Sequence, residues 1–89
     1  MMVEVRLFAN LREAVGRESL FFDFSEPPTV AALLDRLLAE APALKKILIK
    51  GRKYDDRYKL LVGSDIVFPE DFDAKTGTKF AILPPVSGG

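Results

Sequence analysis

The residues of this chain best suited to chemistry are its last six, which read Pro84-Pro85-Val86-Ser87-Gly88-Gly89. Cys and His are absent from the sequence, which excludes thiol nucleophiles, Cys/His zinc sites and histidine-dependent catalysis. The two prolines end a strand and favour an extended polyproline II backbone, and two glycines without Cβ atoms fit a narrow channel. We therefore predict a protruding, flexible tail over residues 84–89 whose reactive group is the α-carboxylate of Gly89.

The elements that must hold this tail belong to one small domain. The chain has 89 residues and a mass of 9.9 kDa, which is enough for a single core, so we predict a domain over residues 1–83 followed by the tail. Thirteen basic and thirteen acidic residues cancel, and this balance makes nucleic-acid binding an unfavourable hypothesis. No apolar run is long enough to span a bilayer, and Glu4 and Arg6 interrupt the first apolar segment. We expect a cytoplasmic protein with no membrane contact.

Alternating apolar residues predict the strands. Val3, Val5 and Leu7 share one face of a strand over residues 2–9, which leaves Phe8 on the opposite face. A second strand is predicted over residues 19–24. Further short strands are predicted over Lys59–Val62, Ile66–Phe68 and Lys79–Leu83, and no element is assigned to 43–58.

A single amphipathic helix has the strongest pattern in the chain. Thr29 is placed to cap it, and Pro42 ends it. One face carries apolar residues at helical spacing, namely Val30, Leu33, Leu34, Leu37 and Leu38. The order of strand, strand, helix and further strands predicts an α+β fold of the β-grasp (ubiquitin-like) type, a mixed sheet of four to five strands with one main helix on one face.

Three segments carry a resemblance to a known family. They are Val5–Glu13 (VRLFANLRE), the helix start Thr29-Val30, and the end Ala81–Gly89 (AILPPVSGG). In these segments the chain resembles small subunits of molybdopterin synthase, which belong to the MoaD/ThiS superfamily of ubiquitin-like sulfur carriers. The resemblance covers nearly the whole chain.

The resemblance implies a sulfur carrier for molybdenum cofactor (molybdopterin) biosynthesis that has no turnover alone. An adenylating enzyme of the ubiquitin-activating type would use ATP to form a transient adenylate on Gly89. A sulfur donor would convert the adenylate to a thiocarboxylate. Residues 84–89 would then enter the large subunit of molybdopterin synthase, in a heterotetramer of two small and two large subunits, and donate sulfur to a cyclic pyranopterin precursor. No resident cofactor or metal is expected.

Two alternatives remain open at this point. The same carrier chemistry serves thiamine synthesis, tRNA thiolation or conjugation to protein lysines. Alternatively, the chain is a β-grasp binding module with a tail that is never activated. Deletion of Gly88 and Gly89 separates the classes, since a pure binding module would keep its function.

Two surface features accompany the tail. Phe8, Ile66 and Leu83 are predicted to lie on the exposed side of the sheet near the start of the tail, where they form a partner interface. Residues 45–59 carry seven basic and two acidic residues with Tyr54 and Tyr58 among them. This segment is interpreted as a solvated loop or a contact for an acidic partner rather than as a nucleic-acid site.

Overall fold

The computed structural model describes residues 1–85, which form one domain. In chain order the elements are β1 (Met2–Leu7), α1 (Ala9–Val15), β2 (Ser19–Asp23), α2 (Val30–Glu40), α3 (Pro42–Leu48), β3 (Ile49–Lys50), β4 (Lys53–Tyr54), β5 (Lys59–Val62), β6 (Asp65–Val67), a 3-10 helix (Pro69–Asp71) and β7 (Lys79–Leu83).

Five strands form one mixed sheet in the order β2-β1-β7-β5-β6. The central strands β1 and β7 are parallel, with Val5 beside Phe80 and Leu7 beside Ile82, and the other neighbours are antiparallel. Parallel neighbours require a crossover connection, and the chain between these two strands includes α2. The predicted β-grasp sheet is confirmed.

Helix α2 packs against one side of this sheet. It begins where predicted, because the Thr29 hydroxyl accepts a hydrogen bond from the Ala32 backbone N–H (3.1 Å). The first two N–H groups of the helix donate to the carbonyls of Ala74 (2.9 Å) and Phe72 (3.0 Å). The connection before β7 therefore satisfies donors that have no partner inside the helix.

The core lies between α2, α3 and the sheet. The buried apolar residues are Val3, Val5, Leu7, Leu11, Phe22, Val30, Leu33, Leu34, Leu37, Ala41, Leu44, Leu48, Tyr58, Leu60, Phe80 and Ile82. Leu38, at the end of the predicted apolar helix face, is half-buried and packs against this core. Burial of each large apolar side chain contributes about 1.5–3 kcal/mol before conformational entropy is subtracted.

Segment 43–58 has more structure than its sequence pattern indicated. It contains most of α3 and the separate β3–β4 hairpin. Pro42 does end α2, but it also stands in the first turn of α3, where a proline loses no helical hydrogen bond. A helix of only seven residues is too short to give a clear apolar period in the sequence. Its formation depends on packing of the buried Leu44 and Leu48 side chains against the rest of the fold.

The structure also differs from the predicted path at Phe8. Strand β1 ends at Leu7, and Phe8 precedes α1 as its N-cap residue instead of continuing the strand.

Within residues 1–85, no helix combines the length and apolar character needed to cross a membrane.

Candidate functional site

The candidate site is the face of the sheet that points away from α2, called here the outer face. Strand β7 defines it, because Phe80 and Ile82 belong to the core under α2 while Ala81 and Leu83 are half-buried on the other side. Successive strand side chains point to opposite faces. The predicted alternation in β7 is confirmed.

A group of apolar side chains lies on this face near the end of β7. This tail-root patch consists of Phe8, Leu61, Ile66, Ala81 and Leu83. Ile66 lies opposite Leu61 in the β5–β6 pair, and Leu61 lies opposite Ala81 in the β5–β7 pair. Side chains directly opposite one another have Cβ atoms about 4.5–5.5 Å apart. The three residues therefore form a continuous row across three strands.

Two predicted interface residues take different positions relative to this row. Ile66 lies at its outer end with 52% of its surface exposed. Leu83 is the next outward residue of β7 after Ala81 and lies opposite Lys59. The structure thus puts Ile66 and Leu83 on the same face, connected through Leu61 and Ala81.

Phe8 continues from β1 in an extended conformation, and an unusual backbone turn follows it at Ala9. Leu7 is the register partner of Ile82, so Phe8 and Leu83 lie side by side at the ends of the neighbouring strands β1 and β7. Ala9 has φ of 50°, a left-handed value that a residue with a Cβ atom adopts only at a cost. The Phe8 carbonyl accepts hydrogen bonds from the N–H groups of Leu11 (3.1 Å) and Arg12 (3.4 Å). The turn and these bonds hold Phe8 half-buried beside the end of β7.

Cationic side chains border the tail-root patch. The guanidinium carbon of Arg6 lies 5.7 Å from the centroid of the Phe8 ring, within the range of a cation–π interaction. Arg6 is the register partner of Ala81. Lys59, beside Leu83, donates from its ammonium group to the Asp56 carbonyl (3.3 Å). An apolar centre with a charged rim is the general anatomy of a protein–protein interface.

The tail itself is only partly within the described residues. Pro84 and Pro85 are half-buried and lie outside any strand or helix, which agrees with prolines that end β7. The predictions for Val86, Ser87, Gly88 and Gly89 fall outside residues 1–85. The described chain therefore ends just after β7, next to Leu83 of the tail-root patch.

The two tyrosines of segment 45–59 are not surface groups. Tyr58 is buried, and its hydroxyl accepts a hydrogen bond from the Asn10 side-chain amide (2.9 Å). The Tyr54 hydroxyl donates to the Tyr58 carbonyl (2.7 Å), and the Tyr54 ring meets Phe72 edge-to-face with centroids 5.7 Å apart. Burial, assisted by the nearby Asp55 carboxylate, raises the pKa of the Tyr54 hydroxyl. Both rings serve the fold.

A carboxylate holds the same segment in place. Asp55 is buried and accepts hydrogen bonds from Arg57 through Nε (3.0 Å) and a terminal nitrogen (2.7 Å). Chiefly because of these side-chain bonds, the pKa of Asp55 falls from 3.8 to about 2.

In the described part of the chain, Glu70, Asp71 and Asp73 do not form a group that could hold a metal ion.

Sequence reasoning missed Leu61 as a member of the site. Its signal was present, because Leu60 and Leu61 are adjacent apolar residues in one short strand and only one of them can face the core. What was lacking was the pairing of β5 with β7, which brings Leu61 beside Ala81.

The fold and the position of the chain end define a class of protein. A mixed β-grasp sheet with parallel central strands, crossed on one side by α2, is a ubiquitin-like fold. The profile described as "ThiS family" matches residues 5–89. The chain therefore belongs to the ThiS family, within the MoaD/ThiS superfamily of ubiquitin-like sulfur carriers. Sulfur carriers of this type are small, non-catalytic partners of other proteins.

Relatives within this family have different names. The chain is 35% identical over 89 residues to small archaeal modifier protein 1 of Haloferax volcanii, with 98% of this chain and 100% of that protein covered. It is 30% identical over 90 residues to the molybdopterin synthase sulfur carrier subunit of Chlamydomonas reinhardtii, with both chains covered completely. Similarity by sequence therefore extends to a modifier and to a molybdopterin synthase subunit.

The solved structures similar to this chain also include a modifier protein and a molybdopterin-related protein. The crystal structure of SAMP1 from Haloferax volcanii superposes with a TM-score of 0.86 at 28% identity, and both chains are covered completely. A protein–protein complex of subunits 1 and 2 of the molybdopterin-converting factor from Helicobacter pylori matches with a TM-score of 0.60 at 25% identity, again with full coverage of both chains. Members of this family thus work with a partner protein.

Proposed function

We propose that this chain carries sulfur for molybdopterin synthesis on the carbonyl carbon of Gly89. A carboxylate oxygen of Gly89 attacks ATP with release of pyrophosphate, and a sulfur donor then displaces AMP to leave a thiocarboxylate. The thiocarboxylate sulfur forms a C–S bond to the cyclic pyranopterin precursor as an oxygen substituent leaves that carbon. Water then hydrolyses the bond between the Gly89 carbonyl carbon and the sulfur, which leaves the sulfur on the precursor and restores the carboxylate. An ionised sulfur is a far better nucleophile at neutral pH than a carboxylate oxygen, so no Cys is required on this chain.

The observation that carries this proposal is the position of the tail-root patch beside the end of β7. A partner that covers Leu83, Ala81 and Phe8 is held against the origin of residues 84–89. Two successive prolines favour an extended backbone where β7 ends, and six extended residues would reach about 20 Å. Docking and delivery of Gly89 are then one binding event.

The proposed partner at this patch is the large subunit of molybdopterin synthase, in a heterotetramer with two copies of each subunit. The named sulfur carrier subunit from Chlamydomonas and the two-subunit complex from Helicobacter support this choice. A second partner is the adenylating enzyme. The two encounters need the same tail and therefore exclude each other in time.

A second candidate function is conjugation of Gly89 to lysines of other proteins. It is favoured by the 35% identity to small archaeal modifier protein 1 and by the TM-score of 0.86 to SAMP1. In this case the activated carbonyl reacts with an amine, and no sulfur reaches a small molecule.

Intact-mass measurement tests the shared first step. After incubation with ATP, a sulfur donor and a competent adenylating enzyme, we expect the mass change produced when sulfur replaces one oxygen of the Gly89 carboxylate. A variant that lacks Gly88 and Gly89 is the control. An unchanged mass of the full chain, with an enzyme proven active on another carrier, would contradict the carrier proposal in all its forms.

A second assay separates the two candidates. The thiocarboxylated chain is mixed either with large subunit and pyranopterin precursor or with a cell extract. Formation of a dithiolene pterin supports molybdopterin synthesis. Isopeptide-linked adducts in the extract, without pterin product, support protein modification instead.

A further inference from the structure

A group of cations on the opposite side of the molecule has no function in the sulfur-carrier proposal. This hairpin patch consists of Lys45, Lys46, Lys50, Arg52 and Lys53, all exposed. The two lysines of α3 lie in its last turn, and the other three cations lie on the β3–β4 hairpin or its turn. Gly51 has φ of 64°, as a tight two-residue hairpin turn requires. The turn holds Arg52 at the tip of the hairpin.

The charges of the hairpin patch are only partly compensated. Within residues 1–85, none of the five cations forms an ion pair or a side-chain hydrogen bond. Lys50 and Lys53 are register partners across the hairpin, and like charges directly opposite each other destabilise a strand pair. No acidic residue lies between positions 45 and 53. After the side-chain hydrogen bonds from Arg57, Lys50 also helps to lower the pKa of Asp55, but none of the five cations forms an ion pair within residues 1–85.

A groove adjoins these cations. It encloses about 520 Å³ between α2, α3 and the hairpin. Leu38, Ala39 and Ile49 form its apolar surface, and Lys45 and Arg52 line its rim. Asp35 is the one carboxylate among its lining residues. A partner suited to this shape has a short apolar side chain surrounded by negative charge.

The structure favours an acidic protein segment over a nucleic acid. Binding to single strands depends on exposed aromatic rings on which bases stack, and Tyr54 and Tyr58 are packed into the fold with their hydroxyls hydrogen-bonded. The whole chain is also formally neutral. Phosphate neutralisation alone would leave the apolar groove unused.

We propose that the hairpin patch and its groove form a second docking surface, which binds an acidic protein segment that inserts an apolar side chain between Leu38 and Ile49. This surface is separate from the tail-root patch, because the groove is lined by α2, which covers the inner side of the sheet. A partner can therefore hold the domain here while the outer face and the tail remain accessible.

Fluorescence anisotropy with labelled peptides tests this surface on the full chain. The probe is the acidic peptide EEDELDEE, and its partner probe EEDESDEE replaces the apolar residue with serine. We expect the first to bind more tightly than the second, and binding to weaken as salt rises from about 0.05 M to about 0.5 M because exposed charges become screened. Equal affinity for the two peptides, or no binding at low salt, would exclude the groove.

Charge-reversal variants locate the binding. Arg52→Glu should weaken binding of EEDELDEE about tenfold through loss of attraction and new repulsion. Arg17→Glu is the matched control, because Arg17 is an exposed cation outside the patch and its reversal changes the net charge equally. Circular dichroism confirms that both variants fold. Equal losses in the two variants would show a non-specific charge effect and overturn the proposal, as would displacement of the peptide by a DNA duplex at lower concentration.

Discussion

Ile82 and Leu83 are neighbours in β7, yet they belong to two different regions of the molecule. Ile82 is fully buried under α2, whereas Leu83 is half-buried on the outer face beside the start of the tail. The inner face, which lies under α2, consists of aliphatic and aromatic side chains that pack against one another. The outer face mixes apolar residues with Arg6, Glu4 and Lys59. A single strand thus supplies every second side chain to the core and the others to the outer face.

Because the two faces are separate, the outer face can carry apolar residues that do not belong to the core. The row formed by Ile66, Leu61 and Ala81 crosses three strands, and 52% of the Ile66 surface is exposed. Apolar area left exposed in this way costs solubility and is retained where a partner covers it. Substitutions on the two faces should therefore affect different measurements.

The largest expected effect is on the inner face. Ile82→Ala should lower the free energy of unfolding by about 2–5 kcal/mol, because it removes buried methyl groups and leaves a cavity. Urea denaturation measures this change. Leu83→Ala is the matched control and should cost clearly less. Equal losses would mean that the two faces do not differ as described.

The next effect is on the outer face and concerns binding. Leu83→Asp should weaken association with the large subunit by about 2 kcal/mol or more, because a charge would lie in the centre of the interface. Isothermal titration calorimetry with purified large subunit measures the affinity, and thermal unfolding checks the fold. Phe8→Asp should behave in the same way. Wild-type affinity in both variants would remove the tail-root patch from the proposed function.

A smaller effect is expected where α2 begins above the inner face. Thr29→Ala removes the side-chain acceptor for the Ala32 N–H and should cost about 1 kcal/mol of stability. Thr29→Ser keeps the acceptor and is the control, followed by the same urea denaturation. Binding of the large subunit should be unchanged in both variants, because the tail-root patch lies on the other side of the sheet.

The smallest effect concerns pH. The folded pKa of Asp55, about 2, lies below its ordinary 3.8, so its ionised form stabilises the fold. This contribution is complete above pH 3.8 and disappears as the pH falls towards 2. Asp55→Asn should lower stability at neutral pH and lose this part of the acid dependence. Identical acid profiles for wild type and variant would show that the pair with Arg57 adds nothing.

Elements with a strong local pattern could be predicted, and elements held by distant contacts could not. The bounds of β5 and β7 were predicted as observed, since each is a short apolar run that ends at a turn residue, Gly63 or Pro84. The hairpin β3–β4 was missed because two-residue strands have no measurable period. The residues after it make contacts with distant parts of the chain, since Tyr58 accepts a hydrogen bond from Asn10, which is 48 residues earlier.

The residues of the candidate site also fall into those that the sequence could predict and those that it could not. Ile66 and Leu83 could be placed on the outer face from alternation alone, because strand period assigns a side chain to one of two faces. Phe8 was predicted to be a strand residue, but β1 ends at Leu7, two residues before the predicted end at residue 9, and a left-handed residue follows at Ala9. Leu61 required knowledge of its strand partner.

The amino-acid sequence by itself determined the α+β class, the capped helix α2 and the alternating faces of β1 and β7. These properties depend on neighbours within a few residues, where propensity, capping and period act. Tertiary structure alone decided which strands are adjacent, that Tyr54 and Tyr58 are packed into the fold, and that the hairpin patch borders a groove. Those outcomes depend on contacts between residues far apart in the chain, for which a single sequence carries no local signal.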